Sequence, residues 1–128
     1  MDKKVNFCTV INCMDGRIQE TVNKFLRKKL KKKYVDTITE PGPVKILSER
    51  KDELKLNSIL ERCDISIKNH GSKSIAVAGH FDCAVNKVNK ETHISQIKES
   101  CKFIMEKYPD ISVTGLYVNK KWEVKKIC

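Results

Sequence analysis

The chain predicts an α/β protein of three layers: a mostly parallel four-stranded sheet of order 2-1-3-4, helices on both faces, and an antiparallel edge strand. Three observations predict it. Short runs of apolar and β-branched residues alternate with longer stretches whose apolar residues recur at helical spacing. Taken in order they read β-α-β-α-β-α-β-β. No repeat, low-complexity linker or shift of composition divides the 128 residues, so 1–128 reads as a single domain.

Val5 to Asn12 (Val-Asn-Phe-Cys-Thr-Val-Ile-Asn) is the first strand, followed by a turn at Cys13-Met14-Asp15-Gly16-Arg17. Ile18, Val22, Phe25, Leu26 and Leu30 fall on one helical face, which predicts a helix from about Ile18 to Lys31. Tyr34 to Thr39 is a second strand. Glu40-Pro41-Gly42-Pro43 is a stiff loop, because each proline fixes φ and removes a donor. Val44 to Asn69 is helical, with a break expected near the charged run Glu49 to Glu53 and an apolar stripe of Leu56, Ile59, Leu60, Cys63 and Ile67. Gly71 stops it. Ser74 to Ala78 is the third strand and leads into Gly79-His80. A loop from Phe81 to Lys90 precedes a helix with Ile94, Ile97, Cys101, Ile104 and Tyr108 on one side, ended by Pro109. Ile111 to Val118 is the fourth strand, Lys120-Lys121 a turn, and Trp122 to Ile127 the edge strand.

Composition removes several classes of function. No run approaches the ~20 apolar residues of a spanning helix, so no membrane partner is expected. The opening Met-Asp-Lys-Lys-Val-Asn-Phe carries no apolar leader, and six cysteines in such a chain read as reduced thiols; the expectation is a cytoplasmic protein without a disulfide framework. The balance of 26 basic and 16 acidic residues gives +10. Its densest stretch, Arg27-Lys28-Lys29-Leu30-Lys31-Lys32-Lys33, ends a helix, where cations suit the dipole, and has no interleaved aromatics. It reads as a solvated face rather than a nucleic-acid contact, with polyanion binding by a non-catalytic basic domain as the alternative.

In open α/β sheets ligands bind beyond the carboxyl ends of strands where strand order reverses. Just past strand one stand Cys13, Asp15 and Arg17; just past strand three stand His80, Asp82 and Cys83. In order 2-1-3-4 these strands are neighbours, so both groups face one crevice. Two thiols and an imidazole form a donor set for Zn2+, with a fourth position left for water, whose pKa zinc lowers to roughly 7. The plainer reading is two buried thiols and a core histidine. Asp15 and Arg17 can form a bidentate pair that only braces the turn, or one that keeps a carboxylate ionised beside that water.

Cys13-Met14-Asp15-Gly16-Arg17 resembles the Cys-x-Asp-x-Arg motif of β-class carbonic anhydrases, and Gly79-His80-Phe81-Asp82-Cys83 resembles their Gly-His-x-x-Cys motif. The segment between them, through Ser66-Ile67, Gly71 and Ile75-Ala76-Val77-Ala78, is similar in order and spacing, so the resemblance spans about Val5 to Val118. It implies a zinc-dependent lyase interconverting carbon dioxide and bicarbonate through zinc-bound hydroxide. Cys13, His80 and Cys83 are then the metal ligands, and Asp15 and Arg17 the catalytic dyad, with Asp15 able to swing onto the metal. It also implies a homodimer or larger homo-oligomer. The chain is shorter than a usual member, without the family's N-terminal helical arm. Thr39-Glu40-Pro41-Gly42-Pro43-Val44-Lys45 stands where the family has an Arg-Asn-Ala-Gly stretch, and Ala84 where a glycine follows the second cysteine. The same fold and metal set serve hydrolases of carbonyl sulfide and carbon disulfide, so a related zinc hydrolase of a small electrophile is the alternative.

Other candidates are set aside. Cys63 and Cys101 lie on apolar stripes and Cys8 within a strand, so all three are expected in the core, and Cys128 exposed. His70 is expected to serve the end of its helix, His93 to be solvated, and Trp122 to lie in the core or an interface. Asp82 either bonds its own turn or orients a metal ligand. Cys13 to Arg17 is Cys-x3-Arg, not the Cys-x5-Arg of cysteine phosphatases, and no Cys-x-x-Cys redox pair exists.

Overall fold

The structure is a computed structural model and describes residues 6–128. Its two central strands are β1 (Phe7–Cys13) and β3 (Ser74–His80), each buried at every position after the first. A parallel strand covered on both faces has no solvent side, which is why both read as continuous apolar runs without alternation. β2 (Tyr34–Glu40) lies outside β1 and β4 (Ser112–Val118) outside β3, all parallel; β5 (Val124–Lys126) returns antiparallel along β4. The order is β2-β1-β3-β4-β5, as expected.

Helices cover both faces. A 3₁₀ turn (Gly16–Ile18) leads into α1 (Gln19–Leu30), and Ile18, Val22 and Leu26 pack on Cys8, Val10, Ala76 and Ala78. α2 (Pro43–Glu49), α3 (Glu53–His70) and α4 (Lys90–Lys107) close the opposite face, where Leu47, Ile59, Cys63, Ile97 and Ile104 meet Ile11, Ile75 and Val77. Each fully buried isoleucine or leucine contributes about 1.5–3 kcal/mol of transfer free energy.

Local chemistry sets the boundaries. Lys31 turns left-handed at φ 55° and ends α1, its amide returning to the Arg27 carbonyl. The long helical segment splits within the charged run, as expected: Arg50 is left-handed at φ 57°, and the Asp52 carboxylate then caps α3 by accepting from the Lys55 amide. Gly71, at φ 71°, stops α3. The expected start of strand one at Val5 lies outside the described residues; its end falls one residue later, at Cys13. The edge strand is shorter than Trp122 to Ile127. Asn119 Oδ1 accepts from the amides of Lys121 and Glu123, and Trp122 sits at φ 63°, so the chain is still turning there. Among the described residues no helix is long and apolar enough to cross a membrane.

Candidate metal centre

β1 and β3 are adjacent and parallel, and each ends on a residue with a metal-binding side chain. Cys13 is the last residue of β1 and His80 the last of β3. From β1 the chain crosses to β2 on one side, and from β3 to β4 on the other, so the strand order reverses between these two ends. Cys83 arrives three residues later on a tight turn that carries Asp82 at φ 62°. The donor atoms of Cys13, His80 and Cys83 lie within 4.8 Å of one another, and all three residues are buried. Sequence spacing alone left core thiols and a core histidine open; the convergence favours a metal-binding group.

The imidazole is held in one orientation. A carbonyl oxygen only accepts, so His80 Nδ1–H donates to the Phe81 carbonyl, 2.8 Å away. The neutral ring then carries its lone pair on Nε2. That nitrogen is buried and has no hydrogen-bond partner. A buried polar atom without a partner calls for an explanation, and a ring nitrogen aimed into a pair of thiols has one in a soft divalent metal ion. Two thiolates would also balance the charge of such an ion, so the set fits zinc in donor type, number and charge.

Electrostatics prepares the sulfurs. Burial alone would push the Cys13 thiol up, but the His80 ring and the backbone amides of Gly42 and Asp15 outweigh it and bring it down to about 7. Burial pushes the Cys83 thiol up, and the neighbouring Cys13 sulfur adds to that. Burial opposes charge on His80, while the Cys13 sulfur and the Phe81 carbonyl favour it and prevail. One negative charge is thus already favoured in the cluster, on the cysteine nearest two amides.

Asp15 and Arg17 form the expected pair. Arg17 donates to both carboxylate oxygens, with Nη2 2.7 Å from Oδ2 and Nε 3.0 Å from Oδ1, and the Arg17 amide donates to Oδ1 at 2.9 Å. These bonds hold the Asp15 carboxyl at about 2, despite some burial. Asp15 is not among the three converging donors. Arg17 reaches further: its other amino group meets Asp82 Oδ2 at 3.2 Å and the Asp82 carbonyl accepts at 3.1 Å, while the guanidinium lies 4.9 Å from the Trp122 ring centre. Among the described residues Asp82 bonds Arg17 rather than its own turn or a ligand side chain. It ties the turn bearing Cys83 to the turn after Cys13.

Several supporting residues carried no sequence signal. Asn12, fully buried, accepts the Cys13 amide on Oδ1 at 2.9 Å. Gln19 Nε2 donates to the carbonyls of Cys13 and Asp15 at 2.7 and 2.8 Å, clamping the turn between them. Gly42 was legible only as part of a stiff loop. At φ 59° a side chain is strained, and a Cβ there would lie 2.6 Å from Val85 and 3.6 Å from Cys83 Sγ, so the loop lies against the ligand turn only as glycine. Glu40, next in the strand-to-loop passage, pairs with Arg62.

The residues set aside fall mostly as expected. Cys8, Cys63 and Cys101 are buried, Cys128 is exposed, and Trp122 is half-buried against α1 and β5. His70 ends α3 and donates to Asp36 at 2.6 Å. His93 is a correction: it is not solvated but 3 % exposed. Gly79 has no side chain, so the His93 ring packs directly on the β3 backbone, edge-on to Tyr117 at 5.5 Å. A polar residue in the first turn of a helix gives no sign of such a partner.

Residues 3–128 match a family model described as "putative carbonic anhydrase". Solved structures share the fold. A β-carbonic anhydrase from Trichomonas vaginalis is similar at 18 % identity with a TM-score of 0.64, over 99 % of this chain and 85 % of that one. A carbonic anhydrase from Glaciozyma antarctica is similar at 17 % identity and TM-score 0.62, over 97 % and 82 %. A tetrameric β-carbonic anhydrase from Sordaria macrospora is similar at 14 % and 0.61, over 94 % and 79 %. No curated protein sequence matches the chain.

Proposed function

The chain belongs to the carbonic anhydrase family, and on that premise we propose that it is a zinc-dependent lyase interconverting carbon dioxide and bicarbonate, with Cys13, His80 and Cys83 as the metal ligands. One observation carries the reading: a buried imidazole nitrogen without a partner, converging with two thiols at the strand-order reversal. When bound there, zinc supplies Lewis acidity that lowers the pKa of a coordinated water to roughly 7.

The chain's own residues do the rest. The Phe81 carbonyl keeps the proton on His80 Nδ1 and so leaves Nε2 free to ligate. The His80 ring, with the amides of Gly42 and Asp15, brings the Cys13 thiol down to about 7 against the effect of burial, which favours the thiolate that a metal needs. Asp15, braced by Arg17, presents a carboxylate that accepts a hydrogen bond from water and orients the oxygen lone pair toward a small linear substrate. Arg17 holds that carboxylate in place, and through Asp82 holds the turn of Cys83 against it. The six free thiols support a reducing, cytoplasmic setting, and family membership supports a homodimer or larger assembly of chains acting as one domain each.

The test is zinc content together with turnover. The purified protein is expected to hold one zinc per chain by plasma mass spectrometry and to hydrate carbon dioxide in a stopped-flow indicator assay. Full zinc occupancy with turnover of carbonyl sulfide but not of carbon dioxide would reassign the substrate and keep the metal centre. Stoichiometry well below one would remove both.

A further inference from the structure

A cavity of about 690 Å³ opens beside the candidate metal centre. It touches the ligand cluster only at Cys83. Cys13, Asp15, Arg17 and His80 are not among its walls. It lies instead between the start of α4 and the turn joining β4 to β5, and nothing in the proposed hydration uses it.

Two buried polar side chains form its inner side. His93 and Tyr117 are 3 % and 4 % exposed, and neither ring nitrogen nor hydroxyl has a hydrogen-bond partner among the described residues. Both touch each other only through their rings. Neither is among the fully enclosed polar atoms left without a partner, so both keep access to the solvent of the cavity, where a ligand oxygen can take the place of water.

The rim is cationic. Lys87, Lys90, Lys120 and Lys121 line it, and none has an ion-pair partner among the described residues. Lys90 lies 5.8 Å from the Tyr117 ring centre, over the buried donors. The two acids in the wall are already engaged: Asp82 by Arg17, and Glu123 by Lys125 at 3.8 Å and by the Asn119 amide at 3.0 Å. The cavity therefore presents uncompensated positive charge. α4, 18 residues long, adds the positive end of its dipole at Lys90. Half-exposed Phe81 and Val88 supply an apolar wall.

We propose that this cavity binds a phosphorylated organic anion of up to nucleotide size. The volume lies within the roughly 300–1,000 Å³ of small-molecule sites. A phosphate group carries close to two negative charges and three acceptor oxygens, which match unpaired lysines around directional His93 and Tyr117 donors. The apolar wall takes the organic body, which a bare anion does not need.

The probe is ADP, titrated into the zinc-loaded protein by isothermal calorimetry at low salt, with inorganic phosphate in a parallel titration. ADP is expected to bind saturably with a sub-millimolar Kd, more tightly than phosphate, and to weaken as salt rises. Lys90→Ala/Lys121→Ala is expected to weaken ADP at least tenfold, and Tyr117→Phe, which keeps the ring, several-fold. Lys28→Ala/Lys29→Ala removes the same charge from α1 and should leave binding unchanged. Absence of saturable ADP binding overturns the proposal, as does equal weakening by the two double variants, which would mark a diffuse charge effect. Phosphate binding as tightly as ADP overturns the organic assignment. Circular-dichroism melting of each variant separates lost binding from lost fold, and none of these outcomes depends on carbon dioxide turnover.

Discussion

The sheet holds two polar clusters, one in its amino half that runs from buried hydroxyls out to an exposed histidine, and one at its carboxyl end that is buried throughout. In the amino half every group meets another. Ser66 Oγ bonds Thr9 Oγ1 at 2.6 Å, Asp36 at 2.6 Å and Ser72 Oγ at 2.7 Å, and His70 donates to the same carboxylate. At the carboxyl end the donors converge without bonding one another out: His80 Nε2 has no partner, and the two sulfurs face it. The first cluster is hard, made of hydroxyls and a carboxylate, and closed. The second is soft, made of sulfur and imidazole, and open. A closed network fixes the packing of α3 on β1 and β2. An open one has bonding capacity left for something the polypeptide does not supply. Thr9, Ser66 and Ser72 are as deeply buried as Cys13, His80 and Cys83, so burial alone does not distinguish architecture from function; satisfaction does.

Breaking the open cluster has the largest expected effect. Cys13→Ser replaces a soft thiolate by a poor ligand of similar size. Zinc should fall well below one per chain by plasma mass spectrometry. Carbon dioxide hydration should drop more than the roughly 10–100-fold that loss of a merely supporting residue causes. Full zinc occupancy in this variant would exclude Cys13 as a ligand. Breaking the closed cluster should act on stability instead. Ser66→Ala strands the hydroxyls of Thr9 and Ser72 and should cost about 1–3 kcal/mol in urea denaturation. Its zinc content should stay at one per chain. Metal loss in Ser66→Ala would mean that the two ends of the sheet are coupled.

The two clusters also differ in how far they were legible. The open one was visible in sequence because its ligands must be particular residue types at strand ends, and a cysteine, a histidine and a second cysteine cannot be exchanged for other residues without changing the chemistry. The fold that joins them was legible for the same sort of reason: β1 and β3, buried on both faces, leave uninterrupted apolar runs, and the break between α2 and α3 falls in a charged run. The closed network left no trace. Thr9, Asp36, Ser66, Ser72 and His70 are ordinary polar residues, and Ser66 and Thr9, 57 positions apart, meet only once α3 lies on β1. Gln19, Asn12 and the environment of His93 were hidden likewise, because each depends on a backbone group or a glycine brought near by tertiary packing. Chemistry written in residue identity survives in the sequence; chemistry written in position does not.

Arg17→Ala tests the seam between ligand and support, with the smallest expected effect on the fold. Its guanidinium is about half exposed, so the ion pair adds little to stability, but it sets the pH at which Asp15 loses its charge. With Arg17 present the Asp15 carboxyl titrates near 2; without it the value should return toward about 3.9, read by carbon NMR of the Asp15 carboxyl across a pH series. The sign follows from the folded value lying below the unfolded one. The pair favours the folded state fully above about pH 4, and that contribution disappears as pH falls through about 2. The wild-type protein should therefore lose stability more steeply than the variant between pH 4 and pH 2. At neutral pH Asp15 is ionised in both proteins, so a fall in carbon dioxide turnover there reflects lost orientation of the carboxylate and of the Asp82 turn, not lost charge. About tenfold or more is expected, with zinc still bound. An Asp15 midpoint still near 2 in the variant would place the source of its depressed value elsewhere than the guanidinium and would remove Arg17 from the positioning role assigned to it.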